Sequence, residues 1–273
     1  MRIIASTGVK GGVGKSTFAA ILAVKLSNRS KVVLCDLDVE CPNLHLLFKK
    51  ELKDPKPIYW GFPKINEDLC KRCYACVSVC REHAIFYAKN KIPTILRDLC
   101  SGCMACKIAC KNNAIYEDKT VVGEVFVQEI NENLWLITGR SKEGLRETSI
   151  VVKEVKKFAV DFAKRINANY LVIDTAPGTH CVVTQALINC DEAYLVTEPT
   201  PLGTHDLSLA IELARKLGLN VKVVLNKANI GKKSLIDEIL RKYGLKVHME
   251  INYSQEIFDA YREGRIEEIV DKL

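Results

Sequence analysis

The sequence predicts a doubly wound α/β fold with a mostly parallel sheet, interrupted once by an inserted module, and three observations lead there. Short β-branched runs alternate with amphipathic segments long enough to be crossover helices. A stretch between about Lys49 and Asp118 breaks that alternation, and the break carries a duplicated cysteine pattern. The runs Lys31 to Asp36, Tyr170 to Asp174, Ala193 to Thr197 and Val221 to Asn226 are nearly continuous in apolar residues, as strands covered on both faces are. The opening run Arg2 to Ser6 is also strand-like. Between them, Ser16 to Ser27, Glu147 to Ile166, Thr204 to Lys216 and Lys233 to Tyr243 have helical patterning. From about Lys49 onward Pro55, Pro57, Gly61 and Pro63 punctuate the chain. The expected organisation is a main domain from residues 1–50 and 119–273, with an inserted domain at 51–118.

Composition narrows the function classes. Of 273 residues, 48% are hydrophobic, enough for a substantial core. Forty Lys+Arg against 33 Asp+Glu give a net charge of +7, dispersed along the chain, and nucleotide phosphate alone could account for it. No basic patch interleaved with aromatics supports nucleic-acid binding. No apolar run is long enough to span a bilayer, and no signal peptide opens the chain, so a cytoplasmic protein without membrane attachment is expected. Twelve cysteines do not suit a secreted disulfide scaffold, which belongs to small domains with little core of their own.

The first chemistry-bearing motif is Lys10-Gly11-Gly12-Val13-Gly14-Lys15-Ser16-Thr17, set between a strand and a helix. That context fits a phosphate-binding P-loop. Glycines let backbone N–H groups encircle phosphate oxygens, and the helix N-terminus adds a favourable dipole. Lys15 is expected to reach the β/γ-phosphates and the Ser16 hydroxyl to ligate Mg²⁺. The general pattern puts glycine at position 9, where this chain has Val9, and it carries Lys10 as well.

With that lysine the loop resembles the deviant P-loop of the MinD/ParA/Mrp and nitrogenase iron protein family. Further motifs follow in family order: Cys35-Asp36-Leu37-Asp38 with Pro42-Asn43-Leu44 resembles switch I, and Asp174-Thr175-Ala176-Pro177-Gly178 resembles the Walker B strand and switch II. Asn226-Lys227 is similar to the segment that reads adenine. The resemblance implies an ATP hydrolase acting as a homodimer with ATP at its interface. In it, Lys10 reaches across to the partner's nucleotide, Asp38 positions the attacking water and Asp174 couples Mg²⁺ to switch II. The terminal segment Ile266 to Leu273 is too acidic to resemble MinD's basic membrane anchor.

In the insert, Cys70, Cys73, Cys76 and Cys80 recur thirty positions later as Cys100, Cys103, Cys106 and Cys110. Each half reads C-x2-C-x2-C-x3-C, the run of two-cluster ferredoxins, in which the fourth cysteine crosses to the other cluster. The expectation is an α+β ferredoxin-like domain with two [4Fe–4S] clusters, one on Cys70, Cys73, Cys76 and Cys110, the other on Cys100, Cys103, Cys106 and Cys80. Arg81 and Lys111 replace the proline that usually follows each run. Zinc has no use for this duplicated spacing. Of the remaining cysteines, Cys35 and Cys190 are expected to be buried. Cys181 falls seven residues after Asp174, the interval of a cluster-ligating cysteine in the nitrogenase iron protein, but no counterpart of that protein's second cysteine lies between Leu134 and Leu145, so burial of Cys181 is expected over metal ligation. Two function classes result. One is an ATPase coupled to electron transfer or metal-cofactor assembly, with a redox or assembly protein as partner. The other is a MinD/ParA-like positioning or partner-binding switch whose clusters are structural or redox-sensing.

Overall fold

The structure, a computed structural model, describes residues 1–272; Leu273, the last residue of the terminal segment discussed above, lies outside them. The chain begins with β1 (Arg2–Thr7), α1 (Lys15–Ser27), β2 (Val32–Leu37), the one-turn α2 (Leu44–Leu47) and β3 (Lys56–Ile65). The excursion that follows holds α3 (Ala75–Ser78), β4 (Ile85–Phe86), β5 (Thr94–Ile95) and α4 (Ala105–Ala109). Then come β6 (Ile115–Asn131), β7 (Leu134–Ser141), α5 (Ser149–Arg165), β8 (Tyr170–Thr175), α6 (Cys181–Leu187), β9 (Glu192–Thr197) and α7 (Pro201–Lys216). The chain ends on β10 (Asn220–Asn226), α8 (Lys233–Lys242), β11 (Val247–Ile251) and α9 (Gln255–Arg262), followed by a 3₁₀ segment, Ile266–Lys272.

Among the described residues nine strands form one sheet in the order β11-β10-β9-β1-β8-β2-β7-β6-β3. The seven from β11 to β7 are parallel, while β6 and β3 extend the sheet as an antiparallel edge. Every residue of β2 and of β9 is buried, which is why these strands read as continuous apolar runs. Helix α5 lays Val151, Val152, Val155, Ala159 and Ala163 on one face of the sheet, and α1 lays Ala19, Ala20, Ala23 and Val24 in the core on the other. Strand β1 sits between β8 and β9, where the direction of chain winding reverses. In open α/β sheets the crevice beyond the carboxyl ends of such strands is where ligands bind.

The expected inserted ferredoxin-like domain is corrected here. Its flanking strands are part of the main sheet, with β3 paired to β6 from Lys56↔Val125 to Ile65↔Ile115. Between them, residues 66–114 contribute two short helices, a 3₁₀ turn at Arg97–Leu99 and a two-stranded ribbon of two residue pairs. Cys76, Ile85, Cys106 and Ile115 make a small core of their own there. Among the described residues no metal-holding group is found in this segment.

Candidate nucleotide site

The loop from β1 to α1 lies at the carboxyl end of the sheet's centre. Gly12 and Gly14 adopt φ +76° and +96°, conformations that L side chains rarely take, and a Cβ on Gly14 would overlap the Asn226 amide. Asn226 at the end of β10 donates its amide to the Val13 carbonyl at 2.8 Å, pinning the loop to the neighbouring strand. The Ser6 hydroxyl donates to the Lys15 carbonyl at 2.9 Å and anchors the first turn of α1 from below. Gly11 faces open space, and Gly12, Gly14, Lys15, Ser16, Thr17, Asn226 and Lys227 line a cleft of about 400 Å³.

Lys15 is almost fully buried and donates to the Lys10 carbonyl at 3.0 Å. Burial lowers its pKa, while Asp174 and Asp38 pull it back upward. Asp174 and Asp38 stand near this amine at the ends of β8 and β2, and Asp36 lies beside Asp174. Asp36 is buried and accepts from the backbone N–H of Asp38 at 3.1 Å, of Asn43 at 3.0 Å and of Leu44 at 3.0 Å, which shapes the loop after β2. Burial raises its pKa to about 7 against those hydrogen bonds. Asp38 is half-buried and also raised, by burial first, with Lys15 opposing. Asp174 is buried and pushed well above the usual carboxylate range by burial and then by Asp36, while a hydrogen bond from Ser16 opposes the shift. Its Oδ1 has no hydrogen-bond partner among the described residues.

Lys10 and Lys227 meet on Glu198, in the loop after β9, at 2.5 and 3.2 Å. On the far side of the cleft the lining is Ile251, Asn252, Tyr253, Ser254, Ile257, Phe258 and Tyr261, from the end of β11 and from α9. Tyr253 is held by a reciprocal pair of hydrogen bonds with Asn229, at 2.7 and 3.1 Å. The sequence reading missed both Glu198 and this aromatic wall. The signals were present: an acidic residue next to Pro199 at the end of a buried strand, and aromatics at positions 253, 258 and 261 beside a short strand.

Residues 4–267 match the CobQ/CobB/MinD/ParA nucleotide binding domain. The chain belongs to that family. Within the family, it is 37% identical over 265 residues to an uncharacterized protein of Methanocaldococcus jannaschii, covering 97% of this chain and 90% of that one. It is 27% identical over 218 residues to a protein of Aedes aegypti described as a cytosolic Fe-S cluster assembly factor Nubp2 homolog, covering 78% of this chain and 62% of the mosquito protein. Among solved structures, the cell division ATPase MinD of Pyrococcus furiosus superposes with a TM-score of 0.58 at 18% identity, over 99% of this chain and 98% of MinD, a likeness of fold. The MinD/ParA-type P-loop reading and the nucleotide-binding fold therefore stand.

The cysteine reading is corrected. Cys70, Cys73, Cys76 and Cys110 border one small hollow, and Cys80, Cys100, Cys103 and Cys106 border a second. Yet among the described residues no group of three or more His, Cys, Asp or Glu side chains is placed to hold a metal ion. All these cysteines are free. Burial raises the thiols of Cys76, Cys100 and Cys106, the last to about 11. The two [4Fe–4S] clusters, the ferredoxin-like domain and the electron-carrying or cofactor-assembling function built on them are withdrawn. Cys35 and Cys190 are buried, but Cys181, expected to be buried, is exposed at the start of α6. Among the described residues no helix is long and apolar enough to cross a membrane.

Proposed function

We propose that this protein is an ATP-hydrolysing switch of the MinD/ParA type, which binds MgATP in the cleft and works as a homodimer closed around the nucleotide to engage a partner. The observation that carries this reading is the placement of the buried Lys15 amine where Asp174 and Asp38 both act on it, with Asp174 Oδ1 left unpartnered among the described residues. A buried carboxylate oxygen without a donor is costly unless something cationic completes it. Mg²⁺ fits that place because it keeps several waters and takes substrate phosphates, so it needs few protein ligands. The Ser16 hydroxyl would hold it directly and Asp174 would steady its hydration, while the ion neutralises charge on the β/γ-phosphates.

In this account the P-loop amides and Lys15 bind the phosphates, and Asp38 orients the water that attacks the γ-phosphorus. The bond to the bridging oxygen breaks and ADP leaves with that electron pair. The raised pKa of Asp38 suits a group that must take up a proton as the water attacks. Lys10 supplies charge to the nucleotide of the second chain, and Asn226 holds the loop on the adenine side. The aromatic wall of Tyr253, Phe258 and Tyr261 supports base binding. Residues 51–118 are read as an insertion whose bordering strands β3 and β6 extend the main sheet, a reading supported by their departure from the β-α-β alternation of the rest of the chain, and a cytosolic setting is part of the proposal. Phosphate release from MgATP by the wild-type protein, lost in Lys15→Ala, tests the reading; equal rates in the two would overturn it.

A further inference from the structure

Two lysines from separate loops share one carboxylate at the rim of the nucleotide cleft. Glu198 Oε1 accepts from Lys10 Nζ at 2.5 Å, and Oε2 accepts from Lys227 Nζ at 3.2 Å. The Glu198 side chain is 9% exposed, against 38% for Lys10 and 36% for Lys227, so the acid is fixed in the wall and the amines come to it. The loop that carries Glu198 has little room to move. The Glu198 carbonyl packs so closely on Gly203 that a Cβ there would overlap it, and Thr200 caps α7 by accepting from the Gly203 N–H at 3.0 Å. Lys227 is tethered a second time, to the Gly12 carbonyl at 3.3 Å. Burial pushes the Glu198 carboxyl up, but the two amines outweigh it and hold it below its ordinary range.

We infer that Glu198 is a positioning residue that keeps Lys10 folded back on its own chain until the nucleotide of a second copy competes for it. This rests on the dimeric ATPase reading above, because the competing anion is the phosphate chain bound by the other copy. The double pairing makes the exchange feasible. Stripping the only partner from a buried carboxylate is strongly unfavourable, whereas Glu198 keeps Lys227 when Lys10 departs. Lys10 in turn moves from one oxyanion to another and is never left without a counter-charge. The arrangement sets a threshold, since two nucleotide-free chains do not offer each other a free Lys10.

Two readouts separate this inference from the reading it rests on. The first is acylation of the Lys10 amine in the nucleotide-free protein, followed by mass spectrometry. Glu198→Gln should make Lys10 react several-fold faster. Glu198→Asp, too short to reach both amines, should do the same, and a melting curve confirms that each variant is folded. Unchanged reactivity in folded Glu198→Gln and Glu198→Asp overturns the inference. The second readout is dimer formation against protein concentration with MgATP. Glu198→Gln should dimerise at about fivefold lower concentration or less, within the usual range of coupling between sites. That gain should vanish when Lys10→Ala is added; the same gain in both backgrounds means Glu198 acts on something other than Lys10 and also overturns the inference. If the wild type forms no nucleotide-dependent dimer while Lys10 reactivity still responds to Glu198, the hold on Lys10 stands and the dimeric ATPase reading falls.

Discussion

Asp174 and Asp36 lie side by side in the register of β8 and β2, both buried. Like charges so placed, in a site shielded from water, each resist ionisation of the other. The consequence is a pH dependence with a definite sign. A carboxyl whose folded pKa is raised binds a proton that the unfolded chain does not, so stability rises as pH falls from the folded pKa toward the ordinary one. For Asp36 that window runs from about 7 down to 3.8. Nucleotide-free protein should therefore melt at a higher temperature at pH 6 than at pH 8. Asp174→Asn should flatten this trend and stabilise the nucleotide-free form at pH 8 by about 1 to 2 kcal/mol, while abolishing hydrolysis. Calorimetric melting at the two pH values checks both.

The buried Lys15 amine feels the charges of Asp174 and Asp38. On the proposed function, replacing Lys15 with alanine removes the fixed counter-ion of the transferred phosphoryl group. Hydrolysis should fall by about 10² to 10³-fold or more, the scale of losing one electrostatic donor in a desolvated site. Steady-state phosphate release measures it, and a normal melting curve separates loss of chemistry from loss of fold.

Gly14 combines φ +96° with direct contact to Asn226. Gly14→Ala should destabilise the loop by about 1 to 3 kcal/mol through backbone strain alone, and weaken nucleotide binding further by displacing Asn226. The double variant Gly14→Ala with Asn226→Ala should bind no more weakly than Gly14→Ala alone, because Asn226 is already displaced there, whereas Asn226→Ala by itself shows the loss of that contact without the strain. Titration calorimetry with MgADP distinguishes the two contributions.

The aromatic wall on the far side of the cleft predicts a division of labour. Phe258→Ala should weaken MgATP binding by about 1 kcal/mol, roughly fivefold, as loss of a ring contact does. Binding of inorganic tripolyphosphate, which has no base, should be unchanged. Parallel titrations with the two ligands check this.

How far the fold could be read in advance depends on where each strand lies in the sheet. Strands β2, β8, β9 and β10 match the expected runs to within about a residue, because parallel strands buried on both faces leave unbroken apolar stretches. The edges were harder to read. Strand β3 contains Pro57, Gly61 and Pro63, residues that look like punctuation but that an antiparallel edge strand tolerates, since an outward-facing N–H has no partner to lose. At the other edge β11 is five residues of mixed polarity, Val247–Ile251, too short and too polar to stand out. In the site, Lys10, Lys15, Ser16 and Asn226 were legible because their motif is contiguous or follows a clear strand. Glu198 and the Tyr253, Phe258 and Tyr261 wall were not, because only the folded chain carries them from positions about 190 to 250 residues away to the P-loop. The cysteine repeat misled in the opposite sense, since its spacing describes a sequence pattern and the placement of the side chains decides whether a metal ion is held.

The central claim is that MgATP joins two copies of this chain and that hydrolysis parts them. Asp38→Asn, which keeps the side-chain shape at the end of β2 while removing the base, should bind MgATP and turn it over slowly. Sedimentation of this variant measures the claim most directly. With MgATP the account predicts a species of twice the chain mass, and with MgADP or no nucleotide a single chain. A single chain in the presence of MgATP, under conditions where binding is shown to be saturated, would contradict it.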